Sequence, residues 1–520
     1  MIYLSKAILA LLMSGLGSFA NAQAPPPAAE QSTAFNSTFA LTPDQIAAAN
    51  LSAAQVASLN NEIRFDRSQL ANGGPREDDF YTLPPLTNTS GPLGPGTLLK
   101  VQPFTHPSPF AIPPNTALSR ILYTTKNFNG TVVPASAFVL WPFTPRILAS
   151  QDPVSREIQD GQRSGQAQAP KAAKTAGAPV VLWMHGTSGF FPSQAPSSHR
   201  ALWYGDAAPF ALALAGYAVV APDYAGLGIG TTWDGDHISH QYLMSRVSAR
   251  DGLCALKAAH AAFPDKLDER FVSMGHSQGG GVAWGVAEVL EEADSKTEFG
   301  DLAAGYRGTV AGSPTTLVFS GSTPLVAPFV AEGIASVFPS FQLADWFTPA
   351  GAARVKLHRE IEGGISASMQ LFLGDGSAQL LRDAWEKTWY VEAYSKLANA
   401  GRRPFRGPML VVQGTEDVYV PYSVTNDTVV ATCAAYPSSE LEFLVVNGTG
   451  HVPTLDATRR IWMDWIQDRL EGKPANTDGK GCKRTELSSF LPVEQYLKVG
   501  NAFPQWVGAP KYSYQFPLGL

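Results

Sequence analysis

RFVSMGHSQGGGVAWGVAEVLEEA, residues 270–293, is the stretch on which the reading of the whole chain turns. RFVSM is an apolar strand-like run, and GGVAWGVAEVL carries apolar residues at helical spacing. Between them lies Gly275-His276-Ser277-Gln278-Gly279, a G-x-S-x-G pattern. A strand that becomes a helix within so few residues brings two backbones together, so small neighbours around the serine are a steric requirement. Such a turn lifts the Ser277 hydroxyl above a sheet and aims a helix N-terminus at it. The pattern is common by itself; its setting between strand and helix makes it specific. The competing reading, a strand–helix turn with no chemistry, has to be weighed against what stands elsewhere in the chain.

Upstream, APVVLWMHG (178–186) and YAVVAPDYAG (217–226) are continuous apolar runs ending in glycine, as strands buried on both faces are. AAPFALALAG and SARDGLCALKAAHAAF read as helices, and YRGTVAGSP (306–314) as another strand. Strands alternating with helices predict an α/β fold: a mostly parallel central sheet with helices on both faces. The alternation stops over residues 314–400, where amphipathic stretches such as LLRDAWEKTWYVEAYSKLA stand, and resumes at PMLVVQGTED, LEFLVVNGTGH and TRRIWMDWIQDRLEG. The interruption predicts a mainly helical cap inserted between core strands. Its aromatics (Phe338, Phe341, Trp346, Phe347, Trp385, Trp389, Tyr390) either line an apolar site or form the cap's own core.

The predicted organisation is a signal peptide over 1–22, a loosely structured lead-in with one short helix over 23–95, and a first core part over 96–313. The cap (314–400), a second core part (401–472) and a tail (473–520) follow. Within the first core part, ILYTTKNF and TVVPASAFVLWP predict a hairpin turning tightly at Asn129-Gly130.

Composition narrows the function classes. With 38 Lys and Arg against 44 Asp and Glu, the net charge is −6 and no basic stripe stands out, which argues against a nucleic-acid partner. Lys6, the apolar run Ala7–Met13 and Ala20-Asn21-Ala22 read as an export signal cleaved after Ala22. Export gives meaning to six N-x-Ser/Thr sequons, at Asn36, Asn50, Asn88, Asn129, Asn426 and Asn447, as N-glycosylation sites. Of three cysteines, Cys433 and Cys482 flank the last core strand and helix and are the disulfide candidates; Cys254 lies in an apolar helical stretch as a buried thiol. Asp234, Asp236, His237 and His240 resemble metal ligands, but their spacing fits no metal motif, so neither metal nor cofactor is expected.

A serine hydroxyl needs a base, and the base needs an orienting acid. His451 lies directly beyond the buried run LEFLVVNGTGH; His358, also downstream, falls in the cap. Asp417 follows MLVVQG, with adjacent Glu416 as the alternative. Asp223 precedes the serine and reads as a loop-fixing residue. For an oxyanion hole the expected donors are the backbone amides of Gln278 and of Thr187, with Gly186 second to Thr187; His185 reads as holding that loop.

Taken together, LYTT…NGTVVPASAFVLWP, HGTSG (185–189), YAVVAPDYAGLG (217–228), HQYL (240–243), GHSQGG and GTEDVYVP resemble the fungal secretory lipase family, the Candida lipase A-like α/β-hydrolases. The resemblance runs from about Ile121 to Gly472; the lead-in and the tail lie outside it. It implies an α/β-hydrolase fold with a helical cap, and a Ser–Asp–His triad falling on Ser277, Asp417 and His451. It also implies hydrolysis of carboxylic esters, often lipids, outside the cell. The expected partner is a small-molecule or lipid ester, with transient contact with a lipid interface. The alternatives are an acyltransferase using the same triad on a secreted metabolite, and a non-catalytic binding protein on a hydrolase scaffold.

Overall fold

The structure, a computed structural model, describes residues 38–86, 93–148, 177–292, 295–319, 323–372, 379–475 and 481–496. The expected export signal, the sequons Asn36 and Asn88, and the aromatic end of the chain lie outside them.

Ten strands form one sheet: β1 (Leu98–Gln102), β2 (Ala117–Lys126), β3 (Val132–Trp141), β4 (Ala178–Met184), β5 (Ala218–Pro222), β6 (Leu267–His276), β7 (Tyr306–Gly312), β8 (Met409–Gly414), β9 (Leu441–Val446) and β10 (Cys482–Leu487). Their spatial order is β1-β2-β3-β5-β4-β6-β7-β8-β9-β10. Pairings from β1 to β5 along that order are antiparallel; from β5 to β10 they are parallel. The α/β class expected from the alternation is the class observed.

Every residue of β4 is buried, because the two faces of its apolar run serve two cores. Val180, Leu182 and Met184 pack with α4 (Ser245–Ala262) and α5 (Gln278–Glu291). Val181 and Trp183 face α3 (Pro209–Leu214) and α11 (Arg459–Leu470) on the other side. Each fully buried side chain of this kind contributes roughly 1.5–3 kcal/mol, which is why an unbroken apolar run is stable only in the middle of such a sandwich.

Between β7 and β8 the described chain is helical: α6 (Thr323–Val337), α7 (Pro349–Ile361), α8 (Ile365–Phe372) and α9 (Trp389–Ala398), with a short helix Leu343–Trp346. Phe341, Trp346, Phe347, Trp385 and Tyr390 are buried, with ring centroids 5.0 Å apart for Phe341–Trp346 and for Trp346–Trp385. Of the two readings of these aromatics, the cap's own core is the one the packing supports.

Three expectations need correction. The lead-in is not loosely structured over its described part, and it holds two helices where one was expected: α1 (Pro43–Ala48) and α2 (Ala53–Ser68). Thr42 with Gln45, and Ser52 with Gln55, form two capping boxes, and Asn50 at φ 49° breaks the chain between them. Leu59 and Ile63 of α2 are buried in one cluster with Leu357 and Leu371 of the cap, and Asp78 bonds the buried Arg120 of β2 at 2.8 Å. The tail, for its part, supplies β10. CKRTEL is a charged edge strand with no apolar run to betray it, paired in parallel with β9 and joined to α10 (Tyr422–Ala435) by the Cys433–Cys482 disulfide. Finally, the hairpin turn is longer than two residues. Asn127 N pairs with Thr131 O at 3.0 Å, and of Asn129 and Gly130 only the glycine takes a positive φ, 84°.

Candidate active site

The parallel strands end along one edge of the sheet, and the loops leaving that edge carry the residues singled out in the sequence. Ser277 follows β6 with φ 60° and ψ −121°, a conformation that costs a non-glycine residue roughly 1–3 kcal/mol and persists only when its surroundings hold it. They do so through its backbone: Ser277 N donates to Gly312 O at 2.9 Å, and Ser277 O accepts from Gly281 N at 3.1 Å and Thr315 N at 3.2 Å. The flanking glycines are obligatory. A Cβ on Gly275 would lie 2.0 Å from Gly279 O, and one on Gly279 would lie 2.0 Å from Met184 O. Ser277 itself is partly exposed and occupies the N-cap position of α5 without a side-chain capping hydrogen bond.

Asp417 stands three residues past β8 and His451 five past β9. His451 Nδ1 lies 2.7 Å from Asp417 Oδ2. The other oxygen, Oδ1, accepts from Tyr419 N at 3.0 Å and Val420 N at 2.9 Å, and Gln413 Nε2 donates to Oδ2 at 3.0 Å. Burial pushes this carboxyl up, but the attraction and hydrogen bond of His451 and the Val420 amide outweigh it, leaving Asp417 below the ordinary carboxylate range. An ionised Asp417 only accepts, so it favours the tautomer with the hydrogen on His451 Nδ1 and the lone pair on Nε2. Glu416, the alternative acid, is exposed, and its amide is tied to Thr449 O at 3.0 Å. His358 is buried in α7 beside Phe190, Phe191 and Phe372, with Ser368 Oγ 2.7 Å from its Nε2.

The loop after β4 brings Gly186 and Thr187 to the same edge. Thr187 Oγ1 lies 2.8 Å from the Tyr242 hydroxyl. His185 Nε2 faces Asp223 O at 3.2 Å and its Nδ1 faces Gly186 O at 2.8 Å, so the ring holds this loop. The buried Asp223 carboxylate takes the Ser197 amide at 2.7 Å, which is the work of a loop-fixing residue. Gln278 is the first residue of α5, where backbone N–H groups have no acceptor within the helix.

Of the four metal-like residues, Asp234, Asp236 and His237 are exposed. His240 is buried elsewhere: Gln278 Nε2 lies 3.0 Å from its Nε2, and its Nδ1 lies 3.2 Å from Ala225 O. Burial lowers this imidazole to about 3, so it is a neutral ring under the serine turn. Among the described residues no three His, Cys, Asp or Glu side chains are grouped to hold a metal ion. The sequon residues Asn50 and Asn129 are exposed, and Asn426 and Asn447 are partly so. Tyr204 and Tyr242, both touching this site, drew no role from the sequence, because a tyrosine distant in the chain gives no local sign of what its hydroxyl will meet.

Solved structures share this architecture. Candida antarctica lipase A in its closed state superposes with a TM-score of 0.54 at 15% identity, covering 77% of this chain and 87% of that one. The ligand-bound rice cell wall degrading esterase LipA from Xanthomonas oryzae gives 0.53 at 18%, covering 72% and 100%. At these identities the likeness is one of fold. No curated protein sequence matches the chain. A model of the alpha/beta hydrolase family matches residues 180–462, which span the serine turn, Asp417 and His451. The chain therefore belongs to the α/β hydrolase family.

Proposed function

We propose that the chain is a secreted serine hydrolase that cleaves carboxylic esters, as a lipase or esterase, with Ser277 as nucleophile, His451 as general base and Asp417 as the orienting acid. The observation that carries the reading is the His451–Asp417 pair, 2.7 Å apart and buried, on the same sheet edge as a serine held at φ 60°. In this reading His451 Nε2 takes the Ser277 proton as Oγ attacks the ester carbonyl. The amides of Thr187 and Gln278 hold the oxyanion, each worth about 3 kcal/mol of transition-state stabilisation. The alcohol leaves with the proton from His451, and water repeats the sequence on the acyl-enzyme.

The helical layer over 314–400 serves as the cap that selects the acyl chain. Asn50, Asn129, Asn426 and Asn447 are the described sites for glycosylation along an export route, to which the Cys433–Cys482 disulfide is suited. The lipase and the cell wall esterase that share the fold favour an ester substrate.

The test is hydrolysis of p-nitrophenyl esters from acetate to palmitate by the wild type and by Ser277→Ala. Turnover that disappears in the variant supports the reading, and the preferred chain length separates esterase from lipase. A wild type inert on the whole series, or a fully active Ser277→Ala, contradicts it.

A further inference from the structure

One buried phenol touches the serine turn and the loop after β4, and through His276 it reaches the His451 loop. The Tyr204 hydroxyl lies 2.7 Å from His276 Nδ1, and His276 Nε2 lies 3.0 Å from the backbone oxygen of His451. The same hydroxyl fills the space beside Gly186, where a Cβ would sit 2.0 Å from it. His276 is fully buried, and its ring centroid is 4.5 Å from that of His451.

These contacts fix the direction of every proton. A carbonyl oxygen only accepts, so His276 Nε2 carries the hydrogen. Burial foremost, and the neighbouring His451, lower this imidazole to about 3, so the ring is neutral and Nδ1 is bare. Tyr204 therefore donates to Nδ1, and Nε2–H donates to His451 O. The chain approaches Tyr204 through two left-handed non-glycine residues, Leu202 at φ 51° and Trp203 at φ 55°, and the Trp183 ring packs edge-on against the phenol at 5.4 Å.

We propose that Tyr204 and His276 are positioning residues: their two hydrogen bonds register the His451 loop against the serine turn, while the phenol seats the oxyanion loop at Gly186. The proposal rests on the hydrolase reading above for its effect on turnover, but not for its effect on His451. His276 stands immediately before the nucleophile, so its ring converts the path of the serine turn into the position of the base. Without the Tyr204 hydroxyl a buried acceptor loses its donor, the ring is free to turn, and its hydrogen bond to the His451 backbone oxygen is no longer held in place.

Tyr204→Phe keeps the ring and removes the hydrogen bond. Its expected kcat on a p-nitrophenyl ester falls by about 10- to 100-fold with KM within about twofold of wild type, since the base and the oxyanion loop act on the transition state rather than on the bound ground state. In ¹⁵N-histidine-labelled full-length protein, the downfield Nδ1 proton of His451, bonded to Asp417, should shift or broaden in the variant. In the wild type, His276 should be the Nε2-protonated tautomer and stay neutral over about pH 5–8. A variant with kcat within about twofold of wild type and an unmoved His451 signal would overturn the proposal. So would a wild-type His276 that carries its proton on Nδ1 or titrates within that range, a result that needs no variant to fold. If the wild type hydrolyses no ester but the His451 signal moves in Tyr204→Phe, the relay stands and the esterase reading falls.

Discussion

The sheet and the helical layer beside it are held by different physics. In the sheet the decisive contacts are between backbones: Gly275 against Gly279, Gly279 against Met184 O, Ser277 N against Gly312 O. Strand ends thereby fix where Ser277, Asp417 and His451 stand, and the one buried carboxylate among them is fully partnered. In the layer built from α1, α2 and α6–α9 the contacts are between side chains, aromatic on aromatic and Leu59 or Ile63 on cap residues. That layer also tolerates an incompletely paired acid. One carboxyl oxygen of Asp66 on α2 is buried without a hydrogen-bond partner, and burial, with the neighbouring Glu62, raises this group to about 8. The proposed catalytic residues thus stand on the part of the molecule held by close backbone contacts and paired polar groups, while the helical layer is joined mainly through side chains.

The largest effect tests the paired carboxylate. Asp417→Asn preserves shape but offers an N–H or a weaker acceptor to His451 Nδ1, so kcat for ester hydrolysis should drop by roughly 10⁴-fold with little change in melting temperature. A loss under tenfold would mean that another acid orients His451.

Next is the backbone approach. Gly279→Ala places a methyl 2.0 Å from Met184 O, a backbone atom that cannot swing aside. Denaturant unfolding should show a loss of about 3 kcal/mol or an insoluble chain. An alanine of similar size on the cap surface, such as Lys396→Ala, should change stability by no more than about 0.5 kcal/mol. Equal tolerance at both positions would erase the contrast between the regions.

The smallest effect belongs to the helical layer. Because the folded pKa of Asp66 lies near 8 and above its unfolded value, the folded chain binds the extra proton between them. Its contribution is present in full below about pH 4, and is lost as pH rises through the folded value. Asp66→Asn should therefore flatten the decline of melting temperature with rising pH and leave ester turnover by the triad in place. An unchanged pH profile of melting would show that the acid is solvated in the folded protein.

The same contrast explains what could be read beforehand. The apolar runs at 178–186, 217–226 and 441–446 announce strands buried on both faces, and a glycine-rich turn between strand and helix announces the serine. Chain order then points to His451 and to Asp417 or its neighbour Glu416, which the sequence alone leaves open. CKRTEL gives no such signal, because an edge strand paired on one side needs no apolar run. The break at Asn50 was written in two S/T-x-x-Q boxes, but helical spacing continues across it and hides it. Tyr204 and His276 were illegible as a pair, since their hydrogen bond joins residues 72 positions apart.

The most direct test of the central claim is labelling of the wild type with a fluorophosphonate, followed by mass spectrometry of the modified peptide. The account predicts one equivalent on Ser277, none in Ser277→Ala, and markedly slower labelling in Asp417→Asn. Absence of labelling, or a label on any other serine, would contradict it.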